Sequence, residues 1–256
     1  EFDRAHSPAF RRSIAELIKN LSDRSSRLQL VIAGVAANLT ELIEHIPSIR
    51  RNILGYHVPN MSNSEIEELI LNGEKICGLT FDREAIAFIS AVAYGSPYIA
   101  SLLSQHAGLA AVDRDAGMVE KSDVSEAINH SVDEIRHRVS SLSLFQTARA
   151  KADGHGNNLG LLARLALHYA GRISPQQADE VIRKPGEGMA FMKMIEREYG
   201  LLEPLPNDPA GAYHFREEGV PVYLWIELAQ SHFAGEKSNT KLLDALLDKY
   251  AVAQGA

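Results

Sequence analysis

The stretch from Leu28 to Ser62 constrains the fold more than any other part of the chain. It opens with Leu28-Gln-Leu-Val-Ile-Ala33, apolar on both faces, the pattern of a strand covered by helices on each side of a parallel sheet. Gly34 breaks the run. Asn38 and Glu41 then stand at capping-box spacing, and Leu39, Leu42, Ile43 and Ile46 form the apolar face of a short helix. Pro47, the basic pair Arg50-Arg51 and a second apolar run, Ile53 to Val58, follow. Ahead of all this, Ser7-Pro8 starts a helix whose Phe10, Ile14, Leu17, Ile18 and Leu21 recur as one buried stripe. The order helix, strand, helix, strand predicts a doubly wound sheet, with residues 1–61 as the second half of an α/β core.

Downstream the pattern turns helical. Ser62-Asn-Ser-Glu65 is a capping box opening a helix through Glu74, with Gly73 and Gly78 at its end. Asp82 caps Arg83 to Tyr94, Ser96-Pro97 starts the next helix, and Ser122 is expected to cap a fourth. Residues 62–140 thus predict a helical bundle with short connections. Ala152 to Asn158 is a linker or a tight inter-helix loop. Helices follow over Leu159–Ala170, Pro175–Ile182 and Met189–Tyr199, then a hairpin from Leu201–Glu203 and Ala212–Phe215. That order is the one of a winged helix-turn-helix over residues 141–235. Val220 to Phe233 adds a helix with Trp225 inside, and residues 236–256 a last helix and tail.

Composition excludes some roles. No run of eighteen apolar residues exists, so no membrane span is expected. The single Cys77 rules out an internal disulfide and suits a reducing cytosol, so a cytoplasmic protein is expected. The ten His show no metal spacing, and His155, His168 and His214 are expected to be core or surface residues; no metal ligand is assigned. A net charge of −7 disfavours coating nucleic acid.

Four stretches together resemble AAA+ ATPases of the origin-recognition and initiator type and the related STAND-type ATPases. Glu1-Phe-Asp-Arg4 is similar to the tail of an acidic Walker B motif, and Leu28 to Ala36 to a sensor 1 strand. Pro47 to Arg51 ahead of Val58-Pro59 resembles an arginine-finger segment and the entry to a helical lid. Gly95-Ser-Pro97-Tyr98, followed by Val119 to Ile128, resembles the sensor 2 helix and the last lid helix. The resemblance implies a P-loop ATPase lacking its Walker A half. Glu1 would polarise the attacking water. Arg51 or Arg50 would reach the γ-phosphate of a neighbouring subunit in a homo-oligomer, a contribution of about 10³–10⁵ in rate in such enzymes. Pro59 and Met61 would lie near the adenine, and Gly95, Pro97 and Tyr98 would contact the nucleotide. ATP and Mg²⁺ are the implied cofactors.

Three departures qualify this resemblance. The sensor 1 strand ends in Ala33-Gly34-Val35-Ala36 rather than a polar side chain. Pro97, Tyr98 or Ile99 stands where initiator ATPases carry an arginine, and the Gly-x-Pro is closer to the STAND pattern. No Gly-x-x-x-x-Gly-Lys-Ser/Thr occurs anywhere in the sequence, so these 256 residues alone are expected to bind ATP poorly and turn over none. The missing polar groups also motivate a degenerate ATPase that uses nucleotide as a structural switch. The alternative of another class is a non-catalytic winged-helix module for DNA or protein. Its reading helix would present Lys193 and Arg197, yet from Leu159 to Gly235 seven Lys/Arg face ten Asp/Glu, a net of −3 that favours a protein partner at least as much as DNA.

Overall fold

A computed structural model describes residues 8–24, 27–28, 30–31, 54–56, 58–205 and 208–233. The chain divides into two compact units, 1–59 and 60–256. In the first, α1 (Pro8–Asp23) forms as its periodicity predicts; Ser7, its expected cap, lies outside the described residues. Its apolar stripe is only partly covered, with Phe10 50% and Leu17 43% exposed.

The expected strands do not form at the described positions. Leu28, Leu30 and Val31 lie outside any strand and are exposed, Val31 by 91%, and so are Leu54, Tyr56 and Val58. An apolar run is compatible with a strand but does not specify one. A parallel strand exists only where a neighbour supplies its ladder, and no ladder includes these residues. The rest of the expected α/β half, including Glu1, Arg50 and Arg51, lies outside the described residues.

The second unit is dominated by helices. α2 (Asn63–Cys77) begins at a complete capping box: the Ser62 side chain accepts from the Glu65 N–H, and the Glu65 carboxylate accepts from the Ser62 N–H at 2.7 Å. That bond holds the Glu65 carboxyl below the ordinary range. α3 (Arg83–Ala93) is capped by Asp82 and α4 (Pro97–Asp113) by Ser96 with Pro97 in the first turn. A two-residue parallel ladder, missed by sequence reasoning, pairs β1 (Thr80–Phe81) with β2 (Met118–Val119) and fastens the loops before α3 and after α4.

α5 (Lys121–Arg136) starts earlier than the Ser122 cap predicts, at Glu120. The cause is Asp123, 3% exposed, which accepts from the Glu120 N–H at 2.7 Å and takes both arms of the Arg114 guanidinium at 2.8 Å. The Arg114 hydrogen bonds hold the Asp123 carboxyl well below its usual range against the opposing effect of burial.

Then come α6 (Ser141–Ala152), α7 (Gly156–His168), α8 (Pro175–Ile182), α9 (Gly188–Met194) and a π-helical turn, Ile195–Tyr199, closed by Gly200 in the left-handed region. β3 (Leu202–Pro204) pairs antiparallel with β4 (Tyr213–Phe215), and Ile173 bridges to Tyr213. α10 (Gly219–Phe233) closes the unit by packing against both α5 and α7. One apolar cluster therefore runs from Ile66 and Ile89 through Ile128 to Leu162, Met192, Tyr213 and Trp225. Burying a side chain of this size contributes about 1.5–3 kcal/mol. Among the described residues no helix is long and apolar enough to cross a membrane.

Candidate functional site

Two stretches singled out in the sequence meet at the start of the second unit. The Met61 N–H donates to the Gly95 carbonyl at 2.9 Å. Gly95 holds φ +78°, and a Cβ there would stand 2.6 Å from the Met61 carbonyl oxygen and 2.9 Å from the Asn60 Cβ. Only glycine lets the two chains cross so closely. The crossing follows from how α3 stops. Tyr94 takes the left-handed region at φ 48° with its N–H on the Ser90 carbonyl, so the chain reverses before Ser96 caps α4.

The same crossing is tied to α7. Asn60 Nδ2 donates to the carbonyl of Leu167 at 3.1 Å and approaches that of His168 at 3.4 Å. Behind it lies an aromatic cage around Arg164, which is 3% exposed. The guanidinium sits 4.6 Å from the Tyr94 ring centre and 5.7 Å from that of Trp225. A desolvated cation over aromatic faces is worth about 2 kcal/mol. His168 packs on Tyr94 at 5.2 Å and on Tyr169 at 4.6 Å. Burial, and then the Arg164 charge, push the His168 imidazole below its ordinary value. Sequence reasoning missed Arg164. The one signal for it was a lone cation inside Leu161-Leu-Ala-Arg-Leu-Ala-Leu167, where every neighbour is apolar.

Pro59, Pro97 and Tyr98 are exposed, and Met61 is half-buried. Tyr98 turns toward α5: its hydroxyl accepts from Arg138 Nη1 at 2.8 Å, and the guanidinium lies 5.7 Å from its ring. Arg138 also pairs with Glu134, which bonds His106 Nε2 at 3.0 Å.

Lys193 on α9 and Arg197 in the π turn are both exposed. The carboxylate of one acidic neighbour, Glu196, is engaged elsewhere. Glu196 accepts from the Tyr213 hydroxyl at 3.0 Å, and the Glu198 carbonyl accepts from Arg149. A cavity of about 50 Å³, lined by Leu161, Arg164, Leu165, Gln177 and Val181, lies between α7 and α8. It holds little more than one water, far below the 300–1,000 Å³ of small-molecule sites. Among the described residues no group of three or more His, Cys, Asp or Glu is placed to hold a metal ion.

No known protein family matches this sequence. A search of curated proteins finds no matching relative either. Among solved structures, an arginine-to-alanine variant of RuvB from Thermotoga maritima is similar in fold, with a TM-score of 0.46 and 13% identity, covering 91% of this chain and 67% of that one.

Proposed function

We propose that the chain is part of an AAA+ or STAND-type P-loop ATPase, with the base end of the nucleotide at the crossing of residues 60–61 and 94–98. The observation that supports it is the Met61 to Gly95 hydrogen bond, which brings together two of the stretches assigned to nucleotide by resemblance. The residues present suit a base better than phosphates. Exposed Pro97 and Tyr98 offer apolar surface beside backbone polar groups at the start of α4. A phosphate-cradling loop and its Mg²⁺ would come from polypeptide outside these 256 residues, since none of them forms the required motif. Arg51, or Arg50, would act on a neighbour's γ-phosphate, and Glu1 on water.

The test uses the intact protein. A fluorescent ADP analogue should bind, and Pro97→Asp should weaken binding at least about tenfold while leaving the melting temperature nearly unchanged, because Pro97 is exposed. Equal affinity would remove the base site. Arg51→Ala should lower turnover by about 10³; unchanged turnover would remove the finger. Tight binding with no turnover in the wild type would leave nucleotide as a structural switch.

A second reading rests on the order α6 to α9, π turn and hairpin: a winged helix serving as a docking module without catalysis. Exposed Lys193 and Arg197 would be its nucleic-acid contacts. DNA retardation at low salt that weakens in the Lys193→Ala and Arg197→Ala variants supports DNA as partner. No retardation turns the module toward a protein.

A further inference from the structure

We propose that Asn60 is a releasable cap on α7 through which nucleotide at the 60–61 crossing controls the C-terminal module; the nucleotide half of this rests on the function proposed above. The case begins with an accounting of backbone acceptors. An α-helix leaves its last four carbonyls without intrahelical donors. For α7 these belong to Leu165, Ala166, Leu167 and His168. The Tyr169 N–H donates to Leu165 at 2.9 Å and the Gly171 N–H to Ala166 at 2.7 Å. The two carbonyls that remain, Leu167 and His168, are the two that Asn60 Nδ2 meets. The cap comes from far away in sequence, where local capping rules do not look for it.

What lies on either side of Asn60 makes the cap a coupling. On one side, Met61 is bonded to Gly95, and the packing leaves no slack for so much as a methyl group. A base seated against Pro97 and Met61 would bear on the same crossing that positions Asn60. On the other side, the chain leaving α7 turns through Ala170 at φ 51° and Gly171 at φ 86° directly into Ile173. The Ile173 N–H donates to the Tyr213 carbonyl at 2.8 Å, and the Tyr213 N–H to the Ile173 carbonyl at 2.9 Å. The end of α7 is thus wired to β4, and uncapping it loosens the attachment of the hairpin.

Amide hydrogen exchange on the intact protein tests both halves. In Asn60→Ala the amides of Tyr169, Gly171 and Ile173 should exchange about tenfold faster than in wild type, with far amides such as those of α5 unchanged. Asn60→Asp should be worse, because a carboxylate faces two carbonyls at the negative end of a helix. Unchanged exchange in both variants overturns the cap. In wild type, saturating ADP, with binding followed separately by a fluorescent analogue, should change exchange at the same three amides. Binding without that change overturns the coupling and leaves the nucleotide site standing. No binding overturns the nucleotide site and the coupling together, and the wild-type arm remains informative even if a variant misfolds.

Discussion

Trp225 Nε1 donates to the carbonyl of Val92 at 2.7 Å, fixing α10 to the last turn of α3. Val92 is one of the helix-end acceptors that α3 cannot satisfy internally. The indole is 1% exposed, so no water can replace it. Trp225→Phe keeps most of the volume and deletes the donor, and should cost about 1–3 kcal/mol. Trp225→Ala adds a cavity and should cost about 3–5 kcal/mol. Urea denaturation followed by far-UV circular dichroism measures both. Equal midpoints for Trp225→Phe and wild type would refute the bond's contribution.

Gly95→Ala should cost more than a loop substitution ordinarily does. A non-glycine residue held in an unfavourable backbone region loses about 1–3 kcal/mol, before any clash. Here the new methyl would also stand 2.6 Å from the Met61 carbonyl oxygen. The crossing should open, so the Met61 amide should lose protection in exchange measurements along with the drop in melting temperature. Retained Met61 protection would show that the crossing tolerates a side chain.

Glu217 should make stability acid-sensitive. Its carboxylate accepts from the Ser140 N–H at 2.7 Å and from the Ser140 and Ser143 hydroxyls at 2.6 Å, at the start of α6. Burial raises its pKa, but these hydrogen bonds outweigh burial and hold it below the ordinary 4.5. A carboxyl depressed in the folded state stabilises above its unfolded pKa and loses that stabilisation as pH falls through the folded value. Glu217→Gln should therefore cost about 1–3 kcal/mol near pH 7. The gap to wild type should close as the pH drops below 4.5. A gap independent of pH would assign the effect to packing.

His168 should likewise make stability fall on acidification, but at a higher pH. Its folded-state pKa lies below the ordinary 6.5, because burial and Arg164 oppose its charge. The unfolded chain therefore takes up the proton first. Stability is complete above about pH 6.5 and falls as the pH drops below it. Tyr94, Tyr169 and Arg164 face the ring, and none of them offers it a negative charge. His168→Gln should flatten the melting temperature between pH 7.5 and 5.5 relative to wild type. Identical slopes in the two proteins would exclude the imidazole as the cause.

What could be read in advance follows from the range of the interactions involved. Ser62 with Glu65, Asp82 and Ser96-Pro97 announced their helices because a cap is settled within four residues. Ser122 misled because the true anchor, Asp123, gains its role from Arg114, a residue on the preceding helix end. The β1–β2 ladder was invisible, since two-residue strands carry no periodicity. The apolar run at Leu28 failed at its described positions for a related reason, as strand formation depends on a neighbour that local pattern does not encode. At the candidate site, the sequence pointed to Met61 and Gly95, and not to Asn60 or Arg164. The roles of those two exist only once α7 lies against the crossing.

The π turn at Ile195–Tyr199 has a consequence for register. Such a turn carries one residue more than α geometry needs. Were the same residues wound as a regular α-helix, the surplus residue would swing everything beyond it by roughly 100° about the axis. Tyr199, whose hydroxyl now donates to Asp153 at 2.8 Å, would point elsewhere, and Gly200 would no longer launch β3 toward β4. The wide turn, by absorbing the surplus residue, is thus what aims the hairpin, and its conversion to α winding should be felt as misdirection of the chain rather than as a missing contact.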